Sequence, residues 1–514
     1  MLSRGGNAFD AAIAVAGTLA VVEPFSSGLG GGGFWLLHRA RGGEDVMLDG
    51  RERAPFAAAA GMYLDAKGEL IPKLSVNGPL AAGIPGMPAA LAHLAGRYGR
   101  LSLERTLAPA IRHAEEGFAV GTRYCRAIRL REEALRRWPG AAAVFFDRGR
   151  LPQRGFQLIQ SDVARTLKKL ARKGRAGFYE GDVAARLVHG VRRAGGNWTL
   201  KDLSDYRAVE RQPLRAKYRS MEITTVAPPG GGAVLLEALN VLAAYDLQRH
   251  VSATRKHLIV EAMRRSYHDR ERYLGDPDFV SIPLARLLSL DYAAGLNAAI
   301  RTDRALPSAY LAGENGPVLD GGSTTHFSIL DREGNYVAAT LSINYPFGSA
   351  FVAPGTGVVL NDEMDDFAAQ PGKANLYGLV GGEANKIAPG KRMLSSMTPT
   401  FLEDDDRLAI LGTPGGSRII SMVLLAALDF ADGRGVHSIV ARGRFHHQYL
   451  PDRIELEPGV FSPQEMEDLR RLGHELRVLE RPYGDMHAVI WDKHLDRVTP
   501  ASDPRGEGLA ATIP

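Results

Sequence analysis

The sequence predicts a protein of the α/β (α+β) class, in which helices and strands alternate along one long chain. Residues 80–270 carry mostly helical patterns, for example at Leu103–Glu116 and Ser161–Lys173. Alternating and β-branched residues at Thr324–Leu330 and Tyr336–Asn344 predict two strands. The chain has 514 residues, 45% of them hydrophobic and 24% charged. These values exclude a mainly disordered chain and predict several domains or one large unit.

Charge and cysteine content exclude several classes of partner. Lys and Arg number 63 against 58 Asp and Glu, which leaves a net charge of +5. That surplus is small for this length and predicts no nucleic-acid partner. A single cysteine, Cys125, excludes an intrachain disulfide and a cysteine-based zinc site. His446 and His447 are adjacent and lack the spacing of metal ligands on a helix, so neither a metal nor a cofactor is expected.

The first apolar run, Ala11–Val22, predicts a buried amphipathic helix that starts near Asn7. It is too short to cross a bilayer, although it has the length of a signal-peptide core. Asp10 abuts the run, Glu23 closes it, and no A-x-A cleavage pattern follows. No other segment approaches ~18 uninterrupted apolar residues, so no membrane span is predicted.

Two glycine-rich loops resemble phosphate-binding motifs but lack their context. Gly28, Gly30 and Gly33 match G-x-G-x-x-G, yet a helix precedes them and a predicted strand, Phe34–His38, follows. A dinucleotide site needs the reverse order, so we interpret these glycines as close-packing or turn positions. The loop Pro228–Gly232 joins a strand to a helix without the Lys-[Ser/Thr] of a P-loop, which favours a structural turn.

The two strands after residue 323 predict a hairpin with a definite register. Turn-forming residues occupy 331–335, and we expect Leu330 to pair with Tyr336 across them. In that register Thr324 lies opposite Ser342. Opposite residues share one face of a sheet, with Cβ atoms ~5 Å apart. The hairpin is therefore predicted to bring two hydroxyl groups together where the first strand begins.

Short motifs run in order along almost the whole chain. They are Gly5–Ala8, Glu23–Gly28, Leu48–Pro55, Gly83–Gly86, Tyr273–Pro277, Thr324–His326, Pro354–Gly357, Leu360–Phe367, Lys391–Met397, Gly412–Arg418, Phe445–Gln448 and Ser502–Arg505. Each motif is weak alone, but their combined order is specific. The chain resembles the γ-glutamyltranspeptidase family, a branch of the N-terminal nucleophile hydrolases.

The resemblance implies a four-layer αββα sandwich that is made as an inactive precursor. Cleavage between Ser323 and Thr324 would leave a large subunit, 1–323, and a small subunit, 324–514, which together form one globule. Family members usually carry an upstream strand and often a leader peptide. Either the N-terminal edge is truncated here, or the protein stays in the cytoplasm rather than reaching the periplasm or the exterior.

The resemblance also implies the chemistry of the junction. The Thr324 hydroxyl would attack the Ser323 carbonyl in an N-to-O acyl shift, and hydrolysis of the ester would free the Thr324 α-amine. An α-amine has a pKa of about 7.7, which suits a general base at neutral pH. One residue then supplies both the nucleophile and the base that activates it.

The other site residues follow from the resemblance by position. Those implied to hold the amino-acid end of the substrate are Arg51, Asn344, Glu363, Asp366, Ser395 and Ser396. Among them Arg51, with the two serines alongside, would bind the α-carboxylate, and the others would hold the α-ammonium.

Three further features concern the acyl centre. The amides of Gly415 and Gly416 would form the oxyanion hole. Segment 370–383 resembles a lid loop whose gating residue is Tyr377. Ser342 stands where many members have threonine, so it keeps a hydroxyl without the methyl group that restrains the rotamer.

Together these features predict a self-processing γ-glutamyl hydrolase or transpeptidase that cleaves glutathione and related γ-glutamyl amides. The acyl group would pass to water or to an amino-acid or peptide acceptor, and the sequence does not rank these. One alternative is an acylase of cephalosporin or glutaryl amides, which the lid and the intact ligand set disfavour. Another is an unprocessed, inactive homologue that acts as a binding protein.

Overall fold

The computed structural model describes residues 1–311 and 323–513, which form two compact units. The described residues of the first unit are 1–212, 323–369 and 387–393, and those of the second are 213–311, 370–386 and 394–513. Each unit therefore contains residues from both sides of the predicted cleavage point. Of the loop predicted at 299–322, residues 312–322 lie outside the described part.

The strands are β1 (Gly32–Arg39), β2 (Glu44–Gly50), β3 (Phe118–Ala119), β4 (Gln157–Leu158), β5 (Val209–Arg211), β6 (Leu214–Tyr218), β7 (Met221–Thr225), β8 (Thr324–Leu330), β9 (Tyr336–Ser342), β10 (Thr400–Glu403), β11 (Arg407–Gly412), β12 (Phe445–His446), β13 (Ile454–Leu456), β14 (Leu476–Val478), β15 (His487–Asp492) and β16 (Arg497–Ser502). The α-helices are α1 (Ala8–Val22), α2 (Met87–Arg97), α3 (Leu103–Glu116), α4 (Thr122–Leu130), α5 (Glu132–Arg136), α6 (Pro139–Phe145), α7 (Ser161–Lys173), α8 (Ala176–Tyr179), α9 (Gly181–Arg193), α10 (Leu200–Ser204), α11 (Gly232–Leu242), α12 (Ser252–Tyr273), α13 (Leu284–Leu287), α14 (Leu290–Ala298), α15 (Ile419–Ala431), α16 (Val436–Ala441) and α17 (Pro463–Arg471).

The first unit is built on an antiparallel sheet in the order β5-β2-β1-β9-β8. Helix α1 packs on β8 and β9, and α3 packs on α1. The side chains of Ile13, Trp35, Leu107 and Leu167 are fully buried in the resulting core. Burying an aliphatic side chain of this size contributes about 1.5–3 kcal/mol, so this core holds the helices on the sheet.

The predicted N-terminal helix is confirmed. Asn7 caps α1: its side chain accepts hydrogen bonds from the amides of Phe9 and Asp10, and the Asp10 carboxylate accepts one from the Asn7 amide. This reciprocal capping box satisfies amides that a helix start leaves without partners. Among the described residues, no helix combines the length and apolar character needed to traverse a lipid bilayer.

The predicted hairpin register is also confirmed. Strands β8 and β9 are antiparallel, with Leu330 opposite Tyr336 and Thr324 opposite Ser342. The second strand ends at Ser342, two residues before the predicted Asn344. Asn344 has a φ of 72°, in the left-handed region, which takes it out of extended conformation.

Two of the three glycines after α1, Gly30 and Gly33, have the close-packing role inferred for them. A Cβ atom on Gly30 would lie 1.9 Å from the Val359 carbonyl oxygen, and one on Gly33 would lie 2.4 Å from the Thr340 carbonyl oxygen. Only glycine permits that approach. Gly33 therefore lets the start of β1 lie directly against the strand that carries Ser342.

The second unit contains an antiparallel sheet in the order β16-β15-β11-β10-β7-β6. Helix α15 packs on β10 and β11, α16 on β15 and β16, and α11 on β6 and α12. The loop Pro228–Gly232 is the structural turn predicted between a strand and a helix. A Cβ atom on Gly232 would lie 2.1 Å from the Val226 carbonyl oxygen, so the start of α11 requires glycine.

Candidate active site

The junction residues of the first unit are buried together where β8 begins. The hydroxyl oxygens of Thr324 and Ser342 lie 3.3 Å apart, and the Ser342 hydroxyl also lies 3.4 Å from the Ser323 carbonyl oxygen. The Asn344 amide donates a hydrogen bond of 2.8 Å to the same Ser342 oxygen. Ser342 thus contacts both Thr324, the predicted nucleophile, and the Ser323 carbonyl group that Thr324 would attack.

The Ser323 side chain holds the other side of the junction. Its hydroxyl donates to the Phe25 carbonyl oxygen and lies 3.2 Å from the Ser26 hydroxyl. Phe25 and Ser26 belong to the Glu23–Gly28 motif. That motif therefore orients the peptide bond predicted to break.

Arg51 follows β2 and is almost fully buried. Its Nη1 lies 2.5 Å from Glu363 Oε2, its Nη2 lies 2.5 Å from Asp366 Oδ2, and its Nε donates to the Met393 carbonyl oxygen at 3.2 Å. Burial alone would lower the pKa of Arg51, but the two carboxylates raise it, so the guanidinium stays charged. The structure brings Arg51, Glu363 and Asp366 into one cluster, as their shared predicted role requires.

The carboxyl groups of this cluster differ in their environments. Burial raises the pKa of Glu363 to about 7, against the opposing effect of the Arg51 charge. Its Oε1 is buried and receives no hydrogen bond from the described residues. Burial, with Glu363 nearby, also raises the pKa of Glu52 well above its ordinary value, against the opposing effect of the Arg51 charge. Asp366 is partly exposed and completes the cluster on its solvent side.

Asn344 has the turn conformation that carries it away from β9. Its side-chain Nδ2 donates to the Asp362 carbonyl oxygen at 3.1 Å, and the adjacent Tyr345 amide donates to Asp362 Oδ1 at 2.9 Å. Asp362 directly precedes Glu363. The Leu360–Phe367 motif thus positions Asn344 as well as two members of the Arg51 cluster.

The remaining predicted residues lie in the second unit. Gly415 (φ 150°) and Gly416 (φ 59°) occupy the turn between β11 and α15. A Cβ atom on Gly416 would lie 2.8 Å from the ring of Tyr377. Tyr377, the predicted gating residue, therefore packs against Gly416, one of the two glycines predicted to form the oxyanion hole.

Tyr377 is held by both side chains and backbone. Its amide donates to Asn375 Oδ1 at 3.0 Å, and Gln448 Nε2 donates to the Tyr377 carbonyl oxygen at 3.1 Å. Gln448 Oε1 in turn lies 2.9 Å from His446 Nε2. Burial lowers the pKa of His446 to about 3, so this histidine is neutral and acts as a hydrogen-bonding support.

Ser395 and Ser396 are buried beside the Pro228–Gly232 turn. The Ser395 amide donates to the Pro229 carbonyl oxygen at 2.7 Å, and its hydroxyl accepts from the Met397 amide at 3.1 Å. Arg270 Nη2 lies 3.4 Å from the Ser396 hydroxyl oxygen. The Pro228–Gly232 turn, which was predicted to have a structural role, therefore holds Ser395, one of the residues predicted to bind the substrate carboxylate.

The comparisons with known proteins identify the family. The family model described as gamma-glutamyltranspeptidase matches residues 1–513. The chain belongs to the γ-glutamyltranspeptidase family. It is 41% identical over 481 residues to the glutathione hydrolase proenzyme of Pseudomonas sp. (strain A14), covering 92% of this chain and 83% of that protein. It is 37% identical to the glutathione hydrolase proenzyme of Escherichia coli (strain K12), covering 98% and 87% of the two chains.

Solved structures support the same assignment. A cephalosporin acylase from Bacillus halodurans has a TM-score of 0.86 at 29% identity, covering 99% of this chain and 92% of that one. The γ-glutamyltranspeptidase of Helicobacter pylori has a TM-score of 0.58 at 38% identity, covering 60% and 89%. The predicted fold class, family and enzyme class are confirmed, and the acylase alternative is only weakly supported. The roles of individual residues stay predictions.

Several residues of the site were not identified from the sequence. Asp362, Glu52 and Arg270 contact predicted site residues, although no role was predicted for any of the three. Asp362 and Glu52 belong to the Leu360–Phe367 and Leu48–Pro55 motifs. Their positions in the chain, directly beside Glu363 and Arg51, could have indicated that they lie at the site. Arg270 lies in α12 outside any quoted motif, and no local pattern indicates its contact with Ser396.

Proposed function

We propose that the protein cuts itself between Ser323 and Thr324 and then cleaves glutathione and related γ-glutamyl amides through Thr324. The observation that carries this proposal is the position of the Thr324 hydroxyl, buried at a strand start and 3.3 Å from the Ser342 hydroxyl. Ser342 also contacts the Ser323 carbonyl oxygen. The Thr324 hydroxyl, a neighbouring hydroxyl and the bond proposed to break thus occur at one point in the first unit.

Processing needs no group from outside the chain except water. The Thr324 oxygen attacks the Ser323 carbonyl carbon, the bond between that carbon and the Thr324 nitrogen breaks, and the nitrogen takes the hydroxyl proton. Water then hydrolyses the ester, which leaves a carboxylate on Ser323 and a free α-amine on Thr324. The Ser342 hydroxyl donates towards the carbonyl oxygen as negative charge develops on it.

Turnover repeats this chemistry on the substrate. The free amine accepts the Thr324 hydroxyl proton, and the oxygen attacks the γ-carbonyl carbon of the bound amide. The amine product leaves with that proton, and a γ-glutamyl ester remains on Thr324. Water, or the amine of an amino acid or peptide, then takes the acyl group and restores the hydroxyl.

The charges of the Arg51 cluster suit a substrate whose bound end carries both an ammonium and a carboxylate group. One guanidinium faces two carboxyl groups, Glu363 and Asp366, so the ionised cluster has a net negative charge. Glu363 Oε1 is a buried acceptor without a hydrogen bond from the described residues. An α-ammonium group can fill that position while Arg51 binds the adjacent α-carboxylate. For Ser395, Ser396, Gly415 and Gly416 the roles rest on the family resemblance.

The proposal is tested on purified protein in two steps. Intact mass and N-terminal sequencing should yield two fragments, the smaller starting at Thr324. That material should release the amine from a γ-glutamyl anilide and hydrolyse glutathione. A glutaryl anilide, which lacks the α-amino group, is the matched control and should react far more slowly. Equal rates on both anilides would favour the acylase, and a persistent single chain without activity would favour the binding protein.

A further inference from the structure

A segment near the end of the predicted large fragment is held by a row of buried polar residues on α12. The residues His257, Glu261 and Arg264 are four and three positions apart, so they share one face of the helix. Each of them makes one hydrogen bond to residues 301–308. His257 Nε2 lies 2.6 Å from the Arg301 carbonyl oxygen, and the Leu306 amide donates to Glu261 Oε1 at 3.4 Å. Arg264 Nη1 donates to Ser308 Oγ at 2.6 Å. Successive helix positions thus bind successive parts of residues 301–308, here called the anchor segment.

The opposite side of the anchor segment contacts residues that follow the predicted cleavage point. The Ala305 amide donates to the Leu472 carbonyl oxygen at 2.6 Å. The Ser308 amide donates to Asp452 Oδ2 at 2.7 Å, and the Ser308 hydroxyl donates to the Tyr449 carbonyl oxygen at 2.7 Å. The segment therefore lies between a helix of the predicted large fragment and residues of the predicted small fragment.

The charges around the anchor segment are paired across that same boundary. Arg264 forms ion pairs with Glu261, from its own helix, and with Asp452, from beyond the cleavage point. Arg264 and Glu261 are each about 1% exposed, and Ser308 is fully buried. If the segment left its place, Arg264 and Asp452 would each lose a hydrogen bond to Ser308, and a charged group that loses a hydrogen bond in a buried position is costly.

Two histidines extend this network. His257 Nδ1 lies 2.8 Å from His474 Nε2, and burial lowers the pKa of both rings, that of His474 to about 2. Together with Glu261 they place ligand-type atoms within 4.8 Å of one another. The Glu261 carboxylate is already paired with Arg264 and Arg265, however, and these cations oppose a metal ion. We therefore interpret the cluster as a hydrogen-bonded support for the anchor segment.

We propose that the anchor segment joins the two fragments non-covalently after self-cleavage, with Ser308 and Asp452 at the joint. This inference rests on the proposed function, because it requires the cut between Ser323 and Thr324. Cleavage removes the only covalent link between the fragments, and the anchor segment then lies within about twenty residues of the new C-terminus of the large fragment. The anchor keeps the end of the large fragment on the small fragment.

Hydrogen exchange followed by mass spectrometry on the processed enzyme tests the contacts directly. The amides of Ala305, Leu306 and Ser308 should be protected in the wild type. Ser308→Ala and Asp452→Asn should each speed their exchange about tenfold, the effect of losing one buried hydrogen bond. Thr302→Ala, an exposed position of the same segment, is the matched control and should match the wild type. Unprotected amides in the wild type would overturn the proposal without any variant.

A second measurement separates an anchor between fragments from a general contribution to stability. Size-exclusion chromatography in increasing urea follows separation of the processed fragments, and the uncut Thr324→Ala chain provides the covalent reference. Ser308→Ala should lower the urea midpoint of the processed protein more than that of the uncut chain. Equal shifts in both would overturn the anchor alone. A wild-type chain that is never cut would overturn the proposed function, and the anchor with it.

Discussion

The hydroxyl oxygens of Thr324 and Ser342 lie 3.3 Å apart because the two residues are directly opposite each other on neighbouring strands. The pairing follows from the five-residue turn that joins the strands. A turn one residue longer would move Ser342 to the other face of its strand, since side chains alternate. The position of Thr324 relative to Ser342 therefore depends on a turn at the far end of the hairpin.

Replacement of Thr324 by alanine should abolish both self-cleavage and turnover. The alanine variant keeps the strand but has no oxygen to attack the Ser323 carbonyl. Denaturing gels should show one full-length band, and the γ-glutamyl anilide should give no release above background. Thr325→Val is the matched control, since the next residue faces the opposite side of the sheet. Cleavage or turnover in Thr324→Ala would contradict the proposed nucleophile.

Loss of the Ser342 hydroxyl should slow both reactions without stopping them. Ser342→Ala removes a donor to the Ser323 carbonyl and a neighbour of the nucleophile, so we expect roughly a hundredfold loss in each rate. It also leaves the Asn344 amide without its acceptor, which costs about 1–3 kcal/mol of stability. Ser342→Thr keeps the hydroxyl and should restore most of the rate. Wild-type processing kinetics in Ser342→Ala would refute this role.

Substrate affinity should weaken as the pH falls below 7. The pKa of Glu363 is raised to about 7, so below that pH the carboxyl group is mostly neutral and holds an ammonium group poorly. We expect KM for the anilide to rise about tenfold for each pH unit below 7, while titration of the Thr324 amine affects kcat. The raised pKa has the opposite effect on folding: this group's contribution to stability is full below its unfolded pKa near 4.5 and is lost as the pH rises through 7. A KM independent of pH between 5 and 8 would argue against Glu363 as a ligand.

Arg51→Lys should raise KM by about a hundredfold while the chain still folds. Lysine carries a point charge and cannot bond both Glu363 and Asp366 as the planar guanidinium does. Arg51→Ala should destabilise the fold more than Arg51→Lys, because the buried Glu363 and the partly exposed Asp366 both lose their cation, at a cost of about 3–5 kcal/mol. Thermal unfolding and anilide kinetics on the two variants, with the exposed Arg41→Lys as control, distinguish binding from stability. An unchanged KM in Arg51→Lys would exclude carboxylate binding by Arg51.

Gly416→Ala should lower activity by displacing the ring of Tyr377. The added methyl group would lie 2.8 Å from the tyrosine ring, well inside contact distance. We expect a loss of about tenfold in kcat/KM, much of it recovered in the double variant Gly416→Ala/Tyr377→Ala, because close pairs are not additive. Gly433→Ala provides a control at a glycine where a Cβ atom meets nothing within 4 Å. Simple additivity in the double variant would show that the two residues do not act together.

The helices and the hairpin were predictable because their signals are local. Asn7 followed by Asp10 is a capping signature, and the turn at 331–335 sets the register that brings Thr324 to Ser342. The rejection of a dinucleotide site also needed only the order of helix, glycines and strand. In each case the deciding interactions join residues close together in the chain, or strands linked by a short turn.

Other features depend on contacts between residues hundreds of positions apart. Arg51 and Glu363 are recognisable motif members, but their 2.5 Å ion pair, and the raised pKa that burial produces, exist only in the folded chain. The contact of Gly416 with Tyr377 and the joint between Ser308 and Asp452 likewise have no local signature. The amino-acid sequence alone therefore determined the family, the helices and the register that places Thr324 opposite Ser342. Tertiary structure decided which charges are buried together and how they pair, because desolvation and pairing arise only when distant segments pack.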